Sequence, residues 1–275
     1  MLRWLWNPRS WALALPLGGC ADDGPTGAAS TSTSDATSET SSSSGGATSL
    51  CEDEGWYPET ADEGAEDTSL GMGDDMPLPF TVEQVQRGEA ASGARIAIAG
   101  VITVTPAAPS EARPGRELFV QDPAGGPYSG LRVVSGELDL GELLAPGDQV
   151  DLVGEVISYR GFVLLEIVAA SDVLRVGPSV LPEPTSVSID ELAAGSPSAR
   201  QYEGVFVQVV DATVTDTAPC DGEFVLDDIL RVDDRFVPGQ LVMPSDGARV
   251  SSVRGVFVRA SGSYELAPPE REALQ

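Results

Sequence analysis

Histidine and lysine are both absent from this chain of 275 residues: its 16 basic residues are all arginine, set against 43 acids for a formal net charge of −27. Those two absences remove whole reaction classes. Without histidine there is no Ser-His-Asp or Cys-His site and no histidine-bearing zinc site, and without lysine there is neither a Ser-Lys site nor a P-loop. Cysteine is scarce too, at Cys20, Cys51 and Cys220, and no histidine is available to turn any of them into a reactive thiolate. No apolar stretch approaches the ~20 residues that a transmembrane helix needs. The chain therefore reads as non-catalytic.

The N-terminus carries the most specific signal. Arg3 and Arg9 precede a short apolar run, Trp11 to Leu17, and Gly18-Gly19 supplies small residues for a cleavage site. Leu17-Gly18-Gly19-Cys20 resembles the lipobox of bacterial lipoproteins. That resemblance implies a signal peptide over 1–19, lipidation of Cys20 and export to the cell envelope, with membrane contact through the lipid; an ordinary secretory signal is the alternative. From 20 to 75 there are 14 acids and no Lys or Arg, and Ser30 to Ser44 is nearly all Ser, Thr, Ala, Asp and Glu. Such a segment is expected to be a disordered, extended tether, because it cannot bury enough apolar surface to offset ordering. Trp56-Tyr57-Pro58 interrupts it. An oxidising envelope allows Cys51 and Cys220 to pair, which in a chain-entropy picture contributes up to about 5 kcal/mol, or to remain as two thiols.

The rest of the chain, 76–275, reads as two copies of one β-rich unit, 76–180 and 181–275. Each opens with a capping-box pattern, Thr81-Val82-Glu83-Gln84 and Ser188-Ile189-Asp190-Glu191, predicting a short leading helix. A long strand follows: Arg95 to Val104, with Gly100 placed for a bend, and Glu203 to Val214, whose alternation slips at Val210. Next come hairpins, Glu117 to Val134 with a long Asp-Pro…Gly-Gly-Pro turn and Glu223 to Val232 with a tight one. Strand pairs close each copy, over Gly147 to Ile167 and Gly247 to Leu266, and a proline-rich linker, Gly177 to Thr185, joins the copies.

This is the plan of the OB fold, so the predicted class is all-β: two tandem five-stranded Greek-key barrels, each with a short leading helix, behind an acidic tether. Phe119-Val120-Gln121-Asp122-Pro123, Gly130-Leu131-Arg132-Val133 and Pro146 to Val156 resemble the OB-fold accessory domains of secreted sugar-nonspecific nucleases. The second copy keeps the outline in Phe224 to Asp227 and Tyr264-Glu265-Leu266 but lacks Gln-Asp-Pro. In those nucleases the chemistry belongs to another domain, and the resemblance implies none here.

Candidate contacts for a ligand are Tyr128, Arg132, Tyr159 and Arg160, which fall at strand ends and turns. Asp227, Asp228, Asp233 and Asp234 are the densest acidic pairs and could hold Ca²⁺ through oxygen, although neighbours on a strand face opposite ways and solvated hairpin charge is the commoner outcome. No other cofactor is expected. Residues 76–275 hold 14 Arg against 29 acids, and that field weighs against nucleic acid. The expected function is a membrane-anchored, non-catalytic binding or scaffold module with a protein or glycan partner. The alternative is a nucleic-acid-binding accessory module that works with a secreted nuclease.

Overall fold

The computed structural model describes residues 76–110, 112–159, 161–220, 222–260 and 263–275. The expected signal peptide and tether, with Cys20 and Cys51, and Arg160 lie outside the described residues.

The first half runs β1 (Leu78–Pro79), α1 (Val82–Gln86), β2 (Arg95–Thr103), β3 (Ala108–Pro109), β4 (Arg116–Gln121), β5 (Gly130–Ser135), α2 (Leu140–Leu143), β6 (Asp148–Tyr159), β7 (Phe162–Glu166), a 3-10 turn and β8 (Val173–Pro178). The second runs β9 (Thr185–Ser186), α3 (Ile189–Leu192), a 3-10 turn over Ala199–Tyr202, β10 (Phe206–Asp216), β11 (Glu223–Leu226), β12 (Leu230–Asp233), β13 (Arg249–Ala260) and β14 (Ser263–Ala267). The first sheet is ordered β1-β2-β4-β5-β7-β6-β8, with β2 also paired to β6. The second is ordered β11-β12-β14-β13-β10-β9, and a further pairing of β11 with β10 closes a five-stranded barrel. In both halves the third and fifth strands of the motif pair in parallel, β5 with β7 and β12 with β14, while the other motif pairs are antiparallel. The chain is OB-fold-like.

Local chemistry accounts for the element starts. Thr81 accepts from the Gln84 amide at 3.2 Å while Gln84 Oε1 accepts from the Thr81 amide at 3.0 Å, so two otherwise orphaned donors are satisfied at the start of α1. At α3 the Glu191 carboxylate accepts from the Ser188 amide at 3.1 Å and from its hydroxyl at 2.7 Å. These bonds favour the ionised form and hold the Glu191 carboxyl below its ordinary range. The sequence pattern missed α2, which Asp139 caps by accepting from the Gly141 amide at 3.0 Å.

Both long strands are bent where the pattern broke. The β2–β6 register shifts between Ile98 and Val101, and the Asp151 carboxylate accepts from the Gly100 amide at 2.7 Å. In β10 the irregular residue is Asp211, one past Val210, with φ of 59°. These bulges let long strands curve around separate apolar cores. One core gathers Ile96, Ile98, Leu118, Leu131, Leu152 and Leu165. The other gathers Val207, Phe224, Leu226, Val232, Phe257 and Leu266.

Matched glycines mark where β6 and β13 pass closest to their partners. A Cβ at Gly154 would lie 2.6 Å from the Glu166 carbonyl oxygen, and one at Gly255 would lie 2.8 Å from the Leu266 side chain. Gly154→Ala and Gly255→Ala are each expected to destabilise the fold by about 1–3 kcal/mol through overpacking. Urea melts are the check; an unchanged midpoint for both would mean that the strands tolerate a side chain there.

Candidate functional site at the seam between the two sheets

In β4 and β5 both faces are buried. Leu118, Val120, Leu131 and Val133 fill the first core, while Glu117, Phe119, Gln121 and Arg132 lie on the opposite face and meet the second half. Phe119 packs with Val104, Ala108, Phe206, Phe236, Val256 and Val258 in an apolar cluster shared by both halves. Its ring meets Phe236 edge-on at 6.0 Å. Gln121 Oε1 accepts from the Phe206 amide at 2.7 Å. Where Gly130 passes Gly204 the backbones nearly touch, for a Cβ on Gly130 would lie 2.0 Å from the Gly204 carbonyl oxygen.

At the middle of this seam sits a fully buried carboxylate. Glu117 accepts from Arg235 at 2.5 Å and from the Ser110 hydroxyl at 2.7 Å, with Arg132 at 3.7 Å. Arg132 is 3% exposed. It donates to the Arg259 carbonyl at 2.7 Å and lies over the rings of Phe119 and Phe162 at 5.2 and 5.1 Å. Beside this group Glu203 is also buried; burial raises its carboxyl above the ordinary value, and the nearby Arg132, Arg259 and Arg200 oppose that shift. Tyr264, stacked on Phe257 at 4.8 Å, is raised by burial and by Glu203.

The candidate contacts therefore divide. Arg132 is not an exposed ligand contact: it joins the two halves and is closed to solvent, with its guanidinium against Glu117, the Arg259 carbonyl and two rings. Tyr128 is partly buried, with φ of 61°, Arg87 at 4.3 Å from its ring and its amide donating to the Gln201 carbonyl. Tyr159 packs edge-on against Phe162 at 5.3 Å. Arg160 is outside the described residues. Sequence reasoning missed Glu117, Glu203, Arg235 and Arg259. The available signal was Glu117, Phe119 and Gln121 on one face of a strand, a large aromatic where an open barrel would face water.

The four aspartates do not gather. Asp227 and Asp228 form the β11–β12 turn at φ of 49° and 59°, and the Asp227 carboxylate accepts from the Thr213 amide at 2.9 Å. Asp234 caps its own loop by accepting from the Gly239 amide. Asp233 instead joins Glu223 and Glu265, all with an oxygen within 4.8 Å of the others, and Arg231 pairs with Glu223 at 3.2 Å. Burial raises the Asp233 carboxyl, while a hydrogen bond with Glu265 opposes the shift. Cys220 is disulfide-bonded, and its partner lies outside the described residues.

No family model matches the chain, and no curated protein matches it. Among solved structures it is similar to one titled "Structural mimicry for functional antagonism" at 14% identity, covering 68% of this chain and 94% of that one with a TM-score of 0.32. It is similar to tetrameric p202 HIN2 at 16% identity, covering 68% and 93% with a TM-score of 0.29. It is also similar to a murine DNA binding protein bound with double-stranded DNA, at 14% identity, covering 62% and 93% with a TM-score of 0.30. One of these neighbours is bound with double-stranded DNA, and the expectation from net charge that nucleic acid is unlikely is withdrawn. The physical weakness of the exclusion is that net charge does not set the local field, as the arginines converging on Glu203 illustrate. Scores this low carry no argument for what this chain itself binds.

Removing one partner of a buried ion pair strands the other, so Arg235→Ala is expected to cost about 3–5 kcal/mol. A triple replacement of Glu117, Arg132 and Arg235 by Leu or Met should recover most of that loss. Chemical denaturation is the measure, and a triple variant no more stable than the single one would contradict it. Glu203 adds a pH test. Its carboxyl is raised in the folded state above 4.5, so the folded chain keeps a proton that the unfolded chain releases, and stability falls as pH rises from 4.5 through the folded value. Glu203→Gln should make that fall shallower; a slope equal to that of the wild type would contradict the assignment.

Proposed function

We propose that this protein is a lipid-anchored, non-catalytic binding or scaffold module of the cell envelope, in which two OB-type barrels form one rigid head on an acidic tether. One observation carries the reading. The seam places Glu117, Arg132, Arg235, Phe119 and Phe236 in contacts that join the halves, so the loops of both halves are held in one frame. A frame held in this way suits presentation of loops and clefts to a partner. The lipobox-like Leu17-Gly18-Gly19-Cys20 supports anchoring, and the 14 acids of the tether support an extended reach from the membrane.

The test is fractionation. Wild-type chain is expected in the membrane fraction, and Cys20→Ala is expected to release it to the soluble fraction. Sedimentation of the variant with membranes would overturn the anchor. Titration of the released full chain with double-stranded DNA over a salt series separates the partner classes: steeply salt-dependent binding would move the module to the nucleic-acid class.

A further inference from the structure

The second barrel carries a cleft that none of the contacts above uses. Its volume is about 430 Å³, and Val242, Pro244, Val250 and Leu274 line it together with Arg249, Arg271 and Glu272. That volume falls within the ~300–1,000 Å³ of small-molecule pockets. We propose that it binds a small aliphatic anion, a hydrocarbon chain that ends in a carboxylate.

The lining carries the argument. Val250 is buried as part of the barrel core, and Leu274 is fixed by a bridge to Val253, so the floor is built on the barrel. Val242 in the wall is 69% exposed, an aliphatic side chain that water covers poorly. Arg249 and Arg271 sit among this apolar surface with side chains 71% and 64% exposed. Each is paired with a solvated acid: Asp211 at 3.4 Å from Arg249, and Glu272, itself part of the lining, at 3.6 Å from Arg271. Such exposed pairs contribute little, so both guanidinium forks are exchangeable towards a ligand carboxylate. Arg87, Arg95 and Arg175 are also solvated, and the apolar lining is what selects this cleft for an anion with a tail. The proposal rests on the binding-module reading and names a ligand class for it; failure of the cleft leaves the fractionation result untouched, and the reverse also holds.

The full chain carrying Cys20→Ala is titrated calorimetrically with decanoate, acetate and decyltrimethylammonium. Saturable binding of decanoate is expected, with acetate inert for lack of a tail and the cation markedly weaker. Arg249→Gln and Arg271→Gln should each weaken decanoate about threefold, the scale of an exposed ion pair. Val242→Glu should abolish binding with an unchanged melting temperature, since the residue is exposed. Equal affinity for the cation, or wild-type affinity in Val242→Glu, would overturn the proposal. So would decanoate binding that emerges only after proteolytic removal of residues 1–75, which would make the chain's own N-terminal segment the occupant. A dimer that Val242→Glu dissociates would make it a second copy.

Discussion

Glu117 is a carboxylate with no access to water, and the arrangement of the two halves depends on its being met there. Leaving such a charge unpaired would cost several kcal/mol, so Arg235 from the second half and Ser110 from its own half must stay in place. Arg132, at 3.7 Å, binds the same group to the Arg259 carbonyl across the seam. The ion pair is not the main source of adhesion. Burial of Phe119, Phe206, Phe236 and their aliphatic neighbours supplies that, while the charged group sets the register in which the faces meet, because no shifted docking would satisfy it.

This constraint explains why a chain so acidic can hold a compact double unit. Its arginines are few, and several meet a buried or half-buried carboxylate: Arg132 and Arg235 at Glu117, Arg231 at Glu223, Arg175 at Asp148. Guanidinium is suited to this, with a planar fork that meets a carboxylate and a flat face that packs on Phe119 or Phe162. The cationic groups that remain solvated at an apolar surface are then a small set, and Arg249 and Arg271 belong to it.

Much of the fold was legible in the sequence. The capping boxes at Thr81 and Ser188, the break at Gly100, the slip at Val210 and the turns after Tyr159 and Ala260 are local events, each decided by residues within a few positions. The structure puts elements where those residues called for them. Helix α2 was missed because Asp139 caps a single turn of four residues, too short to show a period. The site was far less legible. Arg132 reads as a surface arginine at the end of a hairpin, and the Phe162 ring and Arg259 carbonyl that help to cover it come from later in the chain. Asp233 reads as one of an adjacent pair, but strand alternation sends it to Glu223 and Glu265, which lie ten residues before it and 32 after it.

What the sequence determined by itself was the class of chemistry available and the β plan, since the absence of histidine and lysine and the strand periodicity need no contact to be read. It also carried two like series of elements, each a short helix, a long strand, a hairpin and a strand pair. The tertiary structure alone decided which charged groups are buried, which carboxylates share a space, and that the outer face of β4 and β5 is an inner face of the whole. The reason is physical: periodicity reports which side of a strand is apolar, whereas the partner of a buried charge is set by surfaces distant in the chain that meet only once both halves have folded.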